Sequence, residues 1–213
     1  MIIDESYFIN DIAIANTGQE AVEANLNSAI TKYEKEALLS ILGYELYELY
    51  IANSAVQSYK DILDGKEFSF EFCGKTVTRK WIGLANSEKK SLLAYYTYVN
   101  YEKDRNTFNS AVGFVTPNVE NAEQSNPRLK YVNSWNAYVF QRGDFQKINR
   151  CYNKPYLRGT RYRMDESYFN KYDLTTYEFL NDDPSLFNFL LANVDSYPTW
   201  EFTPIKNINV FDL

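Results

Sequence analysis

The sequence predicts a mainly α protein, a helical bundle with an inserted β-hairpin and extended N- and C-terminal arms. Three observations carry this. Apolar residues recur every three or four positions through residues 20–50, 87–108 and 127–141; one stretch near residues 67–79 switches to period two; and both chain ends are apolar without helical spacing. The 213 residues suit one domain with arms. The expected organisation is an arm over 1–19, a helical domain over 20–193 with the hairpin inside it, and an extended tail over 194–213.

In chain order, "YFINDIAIANTG" reads as an arm that stops at Gly18. A helix then starts near Glu20, with Val22, Leu26, Ala29, Ile30, Tyr33, Ala37, Leu38, Ile41 and Leu42 on one stripe. Glu20 and Glu23 suit its positive end. Gly43 costs about 1 kcal/mol in a helix interior, so the helix bends or restarts there, before "YELYELY". Residues 54–64 form a short helix closed by Asp64-Gly65. In "EFSFEFCGKTVTRKW", Phe68, Phe70 and Phe72 alternate with Ser69 and Glu71, and the chain turns at Cys73-Gly74-Lys75. A lone hairpin is marginal in water, so this phenylalanine face needs helices or a neighbouring subunit beneath it.

A second long helix is expected from Ser87 to about Phe108, burying Leu92, Tyr95, Tyr96, Val99 and Tyr101. Residues 113–126 form a long polar loop. Asn126-Pro127 opens a third helix through Leu129, Val132, Trp135 and Val139 to about Gln141, which resumes toward Tyr152. Asp183-Pro184 starts a last short helix carrying Leu186, Phe187, Leu190 and Leu191. The end alternates again at Trp200/Phe202 and Ile208/Val210. "DESYF" occurs at 4–8 and again at 165–169, but the flanks do not align and no duplicated domain follows.

The chain contains no histidine. That removes Ser-His-Asp and Cys-His nucleophile systems and the commonest transition-metal ligand. Cys73 and Cys151 make neither a CxxC pair nor a zinc pattern; a disulfide between them is open to the sequence, but two buried thiols in a reducing cytosol are the expectation. The acidic start resembles no signal peptide, and no run reaches membrane-spanning length. Paired carboxylates at Asp4/Glu5, Glu34/Glu36, Glu45/Glu48 and Asp182/Asp183 are the remaining glycosidase-like candidates, each set against a solvated surface. No Gly-rich phosphate loop, calcium loop or SxxK motif is present. The reading is therefore not an enzyme, with no cofactor and no metal. The aromatics, 19 Tyr, 14 Phe and 3 Trp, allow a sugar- or base-stacking surface as an alternative. More tyrosine than one core can satisfy points to half-buried rings at interfaces.

Net charge is −6, unevenly spread: −8 over residues 1–64, +3 over 65–141, +6 over 142–163 and −7 over 164–213. Such asymmetry favours a chain that meets charged partners or copies of itself. Arg150, Lys154, Arg158, Arg161 and Arg163, interleaved with Tyr152, Tyr156 and Tyr162, form the candidate basic contact patch.

An acidic start, "EKEALLSILGYELYELY", "YKDILDG", a short hairpin, "WIGLANSEKKSLLAYYTYVNY" and "NPRLKYVNSWNAYV" follow one another over about residues 8–150. This order of elements resembles the head–tail connector proteins of tailed bacteriophages, closest to the neck-ring (portal adaptor) proteins of crAss-like phages. The glutamate-rich helix running into "LLSILGYELY" is its most specific part; the basic stretch and the tail fall outside it. The resemblance implies a structural virion protein, made in the host bacterial cytoplasm and placed in the neck. It implies a homo-oligomeric ring, usually of twelve, that joins the portal protein to other neck and tail ring proteins. Genomic DNA passes through the lumen at ejection without sequence-specific binding, and no membrane is involved. The Gly43 bend with Tyr44, Tyr47 and Tyr50 fits a wall of such a ring. In that setting the tail residues Trp200, Phe202, Ile205, Ile208, Val210, Phe211 and Leu213 are expected to dock on the portal or an adjacent subunit. Phe68, Phe70 and Phe72 are expected to pack partly between subunits. The alternatives are a tail-completion or tail-terminator protein and, from a different class, a carbohydrate-active or sugar-binding protein.

Overall fold

A computed structural model describes residues 1–72, 75–105, 108–110, 113–115, 128–143 and 184–201, with 71–72, 75, 108–110, 113–115 and 128–129 described by backbone alone. The described chain is mainly helical. Its helices are α1 (Glu20–Leu42), α2 (Tyr44–Ala52), α3 (Gln57–Asp64), α4 (Leu92–Arg105), α5 (Arg128–Arg142) and α6 (Leu186–Ala192). Strands β1 (Lys66–Phe72) and β2 (Lys75–Trp81) form the expected antiparallel hairpin, and β3 (Phe108–Ser110) pairs with β4 (Gly113–Val115) in a second short ribbon. The chain falls into two compact units, Met1–Ala37 with Ala85–Tyr138, and Leu38–Leu84 with Val139–Leu213.

In the first unit, Leu26, Ile30, Tyr33 and Ala37 of α1 are buried on the expected stripe. The 1–19 segment is not a free arm. Ile3, Tyr7, Phe8, Ile12 and Ile14 are buried, and 3₁₀ turns at Glu5–Tyr7 and Asn10–Ile12 fold it up, the second turn lying against α4. Helix α4 starts later than Ser87. Asn86 takes the Lys90 N–H (3.1 Å) on its side-chain oxygen and donates to the Lys90 carbonyl (2.5 Å), closing a loop. Such local bonding competes with helix formation. The helix opens instead after Ser91, whose hydroxyl accepts the Leu93 N–H at 3.3 Å. Once begun, α4 buries Leu92, Leu93, Ala94, Thr97, Tyr98, Val99 and Tyr101, while Tyr95 and Tyr96 are half-buried. Tyr138 of α5 completes this core, its ring 4.8 Å from that of Tyr96.

In the second unit, the break at Gly43 is observed: α1 ends at Leu42 and α2 begins at Tyr44. Gly43 sits at φ +75°, and a Cβ there would lie 2.9 Å from the Glu201 Cβ, so a side chain is excluded by both conformation and space. The hairpin register pairs Phe70 with Val77 and Phe72 with Lys75. Ser69 and Thr78 join their hydroxyls at 2.9 Å on the exposed face. Helix α6 is buried throughout Leu186–Leu191. Its cap is Ser185, which accepts the Asn188 N–H at 3.2 Å, rather than the expected Asp183.

Candidate functional site

The first unit has an open cleft of about 320 Å³ lined by Asn25, Ser28, Ala29, Lys32, Tyr33, Tyr101, Asp104 and Arg105. Residues Lys32 and Tyr33 of α1 meet Asp104 of α4 here. The Tyr33 hydroxyl donates to Asp104, and Lys32 Nζ lies 3.0 Å from that hydroxyl and 3.9 Å from the carboxylate. Burial, then the hydrogen bond to Asp104, raises the Tyr33 phenol above its ordinary range. The neutral phenol is thereby favoured, which suits a clasp between helices better than a nucleophile or base. Sequence reading missed this group because residues 71 positions apart in the chain come together only in the fold.

The four candidate carboxylate pairs are not assembled as acid–base pairs. Asp4 caps the first 3₁₀ turn, accepting from the Ser6 hydroxyl and from the Ser6 N–H (2.9 Å), and the hydroxyl contact holds its carboxyl below the usual range. Glu34 is buried and accepts the N–H groups of Ile2 (2.8 Å) and Ile3 (3.3 Å), with the chain's amino terminus 3.8 Å away. It fastens the N-terminal segment onto α1. Glu36 accepts from the Tyr96 hydroxyl at 3.4 Å, whereas Glu45 and Glu48 are exposed on α2. Asp182 and Asp183 lie outside the described residues. Among the described residues no cluster of three Cys, Asp or Glu could hold a metal ion, and no helix is long and apolar enough to cross a membrane.

In the second unit the hairpin face is covered by the chain itself. Phe68 and Phe70 are buried, and Phe68 meets Phe189 of α6 edge-on at 5.6 Å. Trp81 stacks on Phe189 at 6.4 Å and donates its indole N–H to the Ile62 carbonyl at 3.0 Å. Phe68 and Phe70, expected to pack partly between subunits, thus find cover within the single chain. Helix α6, apolar apart from Asn188, supplies the floor the hairpin needs. The Phe72 side chain lies outside the described residues, as do Cys73 and Cys151.

Trp200 is likewise docked on its own chain. Its indole N–H donates to the Ile41 carbonyl at 2.8 Å and its ring lies 5.3 Å from that of Phe187. An indole N–H taken from water needs an acceptor, and the Ile41 carbonyl, in the last turn of α1, supplies it. Trp200 remains half-buried; Phe202, Ile205, Ile208, Val210, Phe211 and Leu213 lie outside the described residues, and so do Arg150, Lys154, Arg158, Arg161 and Arg163. On α2 the three tyrosines differ in exposure. Tyr50 is buried edge-on against Tyr59 (6.2 Å), Tyr47 is half-buried, and Tyr44 alone is well exposed.

No protein-family model matches this chain, and no curated protein and no solved structure matches it.

Two buried phenols give the molecule an alkaline limit. Burial, with Glu102 nearby, pushes Tyr98 up to about 12, and burial raises Tyr197 as well, whose hydroxyl donates to the Ser58 carbonyl at 2.7 Å. Both phenols ionise more readily in the unfolded chain, where the ordinary value is near 10. Their contribution is fully present below pH 10 and is lost as pH rises from 10 toward 12. A two-unit shift corresponds to an effect of order 2 kcal/mol for Tyr98 alone. The melting temperature should be flat from pH 8 to 9.5 and fall steeply above 10; a flat profile to pH 11.5 contradicts this assignment.

Proposed function

We propose that this protein is a structural component of the phage neck, forming a ring that joins the portal to the tail machinery and lines the DNA path. The observation that carries this reading is the ordered run of elements over residues 8–150, with its most specific stretch, "LLSILGYELY", folded as two helices broken at Gly43. A tail-completion role is the neighbouring alternative within the same class. Two further features support a part that works among neighbours. Half-buried tyrosines (Tyr47, Tyr59, Tyr95, Tyr96 and Tyr131) present amphipathic rings at the surface, as interfaces do. The sequence also concentrates +6 over residues 142–163 and −8 over residues 1–64. A cyclic ring joins one flank of a subunit to a different flank of the next, and opposite charge on those flanks steers them into register.

The test is charge reversal. Changing Arg158, Arg161 and Arg163 to Glu should abolish the ring in light-scattering size measurements at low salt. Glu20→Lys, Glu23→Lys and Asp61→Lys should restore it in part, with added salt weakening the parent ring because exposed charges are screened beyond about 10 Å at 0.1 M. Normal assembly of the triple Glu variant at low salt contradicts closure by charge. Asp61 is the demanding member of the rescue set, since it holds Lys66 at 2.7 Å and accepts from Gln57 at 2.7 Å.

A further inference from the structure

We propose that Trp135, Tyr138, Tyr96 and Tyr33 form a relay that carries an oxidising equivalent from the surface of the first unit to Tyr33, which gives its phenolic proton to Asp104. This activity goes beyond the neck reading and does not rest on it. The first observation is a line of rings in contact. Trp135 lies 5.4 Å from Tyr138, Tyr138 lies 4.8 Å from Tyr96, and Tyr96 lies 6.1 Å from Tyr33, centroid to centroid. Each step is within the contact range of aromatic side chains. Trp135 on α5 is half-buried and open to an oxidant in solution, whereas Tyr138 and Tyr33 are buried. Indole and phenol are, with the thiol, the side chains that give up one electron most readily.

The second observation is how the line ends. The Tyr33 hydroxyl donates to the Asp104 carboxylate. A phenol gives up an electron at low cost only if its proton leaves too, and a carboxylate oxygen already bonded to that proton can take it. Burial and the bond to Asp104 keep the phenol protonated, so the proton is there to be given. Lys32 Nζ lies 4.4 Å from the Tyr33 ring centroid. A cation over the ring opposes positive charge on it, so electron loss without proton loss is disfavoured and Asp104 becomes decisive. The same Nζ is 3.0 Å from the phenolic oxygen and donates to it. Tyr96 makes a poorer end, because its hydroxyl reaches Glu36 only at 3.4 Å, long for an O–H···O bond.

The step balances as follows. A one-electron oxidant of the oxyl-radical class, such as the carbonate radical, takes an electron from the Trp135 indole and is reduced to its anion. An electron from Tyr33 passes through Tyr96 and Tyr138 and refills Trp135. The Tyr33 proton moves to Asp104. A neutral phenoxyl radical is left on Tyr33 and a carboxylic acid at position 104. The oxidising equivalent thus comes to rest at the cleft that Tyr33 and Asp104 line.

The experiment uses the absence of histidine from the chain. Asn136→His, at an exposed position next to Trp135 on α5, gives the full chain a single imidazole to which a ruthenium bipyridyl complex is attached. A light flash with an external quencher makes the ruthenium(III) oxidant there. Tyr33 is replaced by 3-fluorotyrosine, so that a radical at position 33 alone shows fluorine splitting in its electron paramagnetic resonance spectrum. The expected result is a freeze-trapped phenoxyl radical with that splitting. Asp104→Asn, which keeps the shape and removes the proton acceptor, should abolish the split signal. An unsplit tyrosyl spectrum, a radical confined to tryptophan or no trapped radical overturns the proposal. So does a split signal of undiminished yield in Asp104→Asn.

Discussion

Gly65→Ala is expected to lower the stability of the second unit by about 3 kcal/mol or more, from two costs that add. Gly65 closes α3 at φ +85°, a conformation that a side chain occupies only with strain. A Cβ there would also strike the Trp81 carbonyl oxygen and come within 2.7 Å of the Ile82 carbonyl carbon and 2.9 Å of the Gly83 nitrogen. These are backbone atoms, so no rotamer change relieves the contact. The strand end they belong to is held by Trp81 and by the Leu84 N–H, which donates to the Ile62 carbonyl at 3.2 Å. At roughly 2–4 °C per kcal/mol for a chain of this size, the midpoint should fall by about 10 °C. A change within 2 °C in scanning calorimetry contradicts the close approach of the two segments.

Phe189→Ala is expected to cost about 4 kcal/mol, the range for truncating a buried phenylalanine. Phe189 is the ring on which the second unit converges: Phe68 at 5.6 Å, Trp81 at 6.4 Å and Tyr197 at 6.2 Å. Its removal takes the floor from the hairpin. Amide exchange in β1 and β2 should therefore accelerate more than exchange in α4. If the hairpin were held between subunits, Phe189→Ala would leave its protection intact and the dilute protein would melt unchanged. Phe70→Asp separates the same two cases from the hairpin side, and should lower the melting temperature of a single dilute chain.

Much of this architecture could be read from residue patterns. The α1 stripe, the Gly43 break, the period-two hairpin and the Gly65 stop each follow from local chemistry, and local chemistry decides each of them. What was not legible depends on long-range partners. The 1–19 segment reads as an arm because its apolar residues lack one period, yet Ile3, Tyr7 and Phe8 find burial in the first unit. One signal was available: Glu34 sits beside Tyr33 on the apolar stripe of α1, and a carboxylate there needs donors, which Ile2 and Ile3 supply. The start of α4 was misread because Asn86 prefers its own backbone loop to a helical turn. The bond from the Trp200 indole to the Ile41 carbonyl was not legible either, because an indole that caps a helix and one that reaches a partner look alike in sequence.

The measurement that bears most directly on the central claim is electron microscopy of the full chain, imaged alone and mixed with the portal protein that the proposed neck role requires. The account predicts annular particles of one subunit number, alone or on the portal, with the ring coaxial with the portal channel. A single dilute chain in both samples, with no density added to the portal, contradicts it.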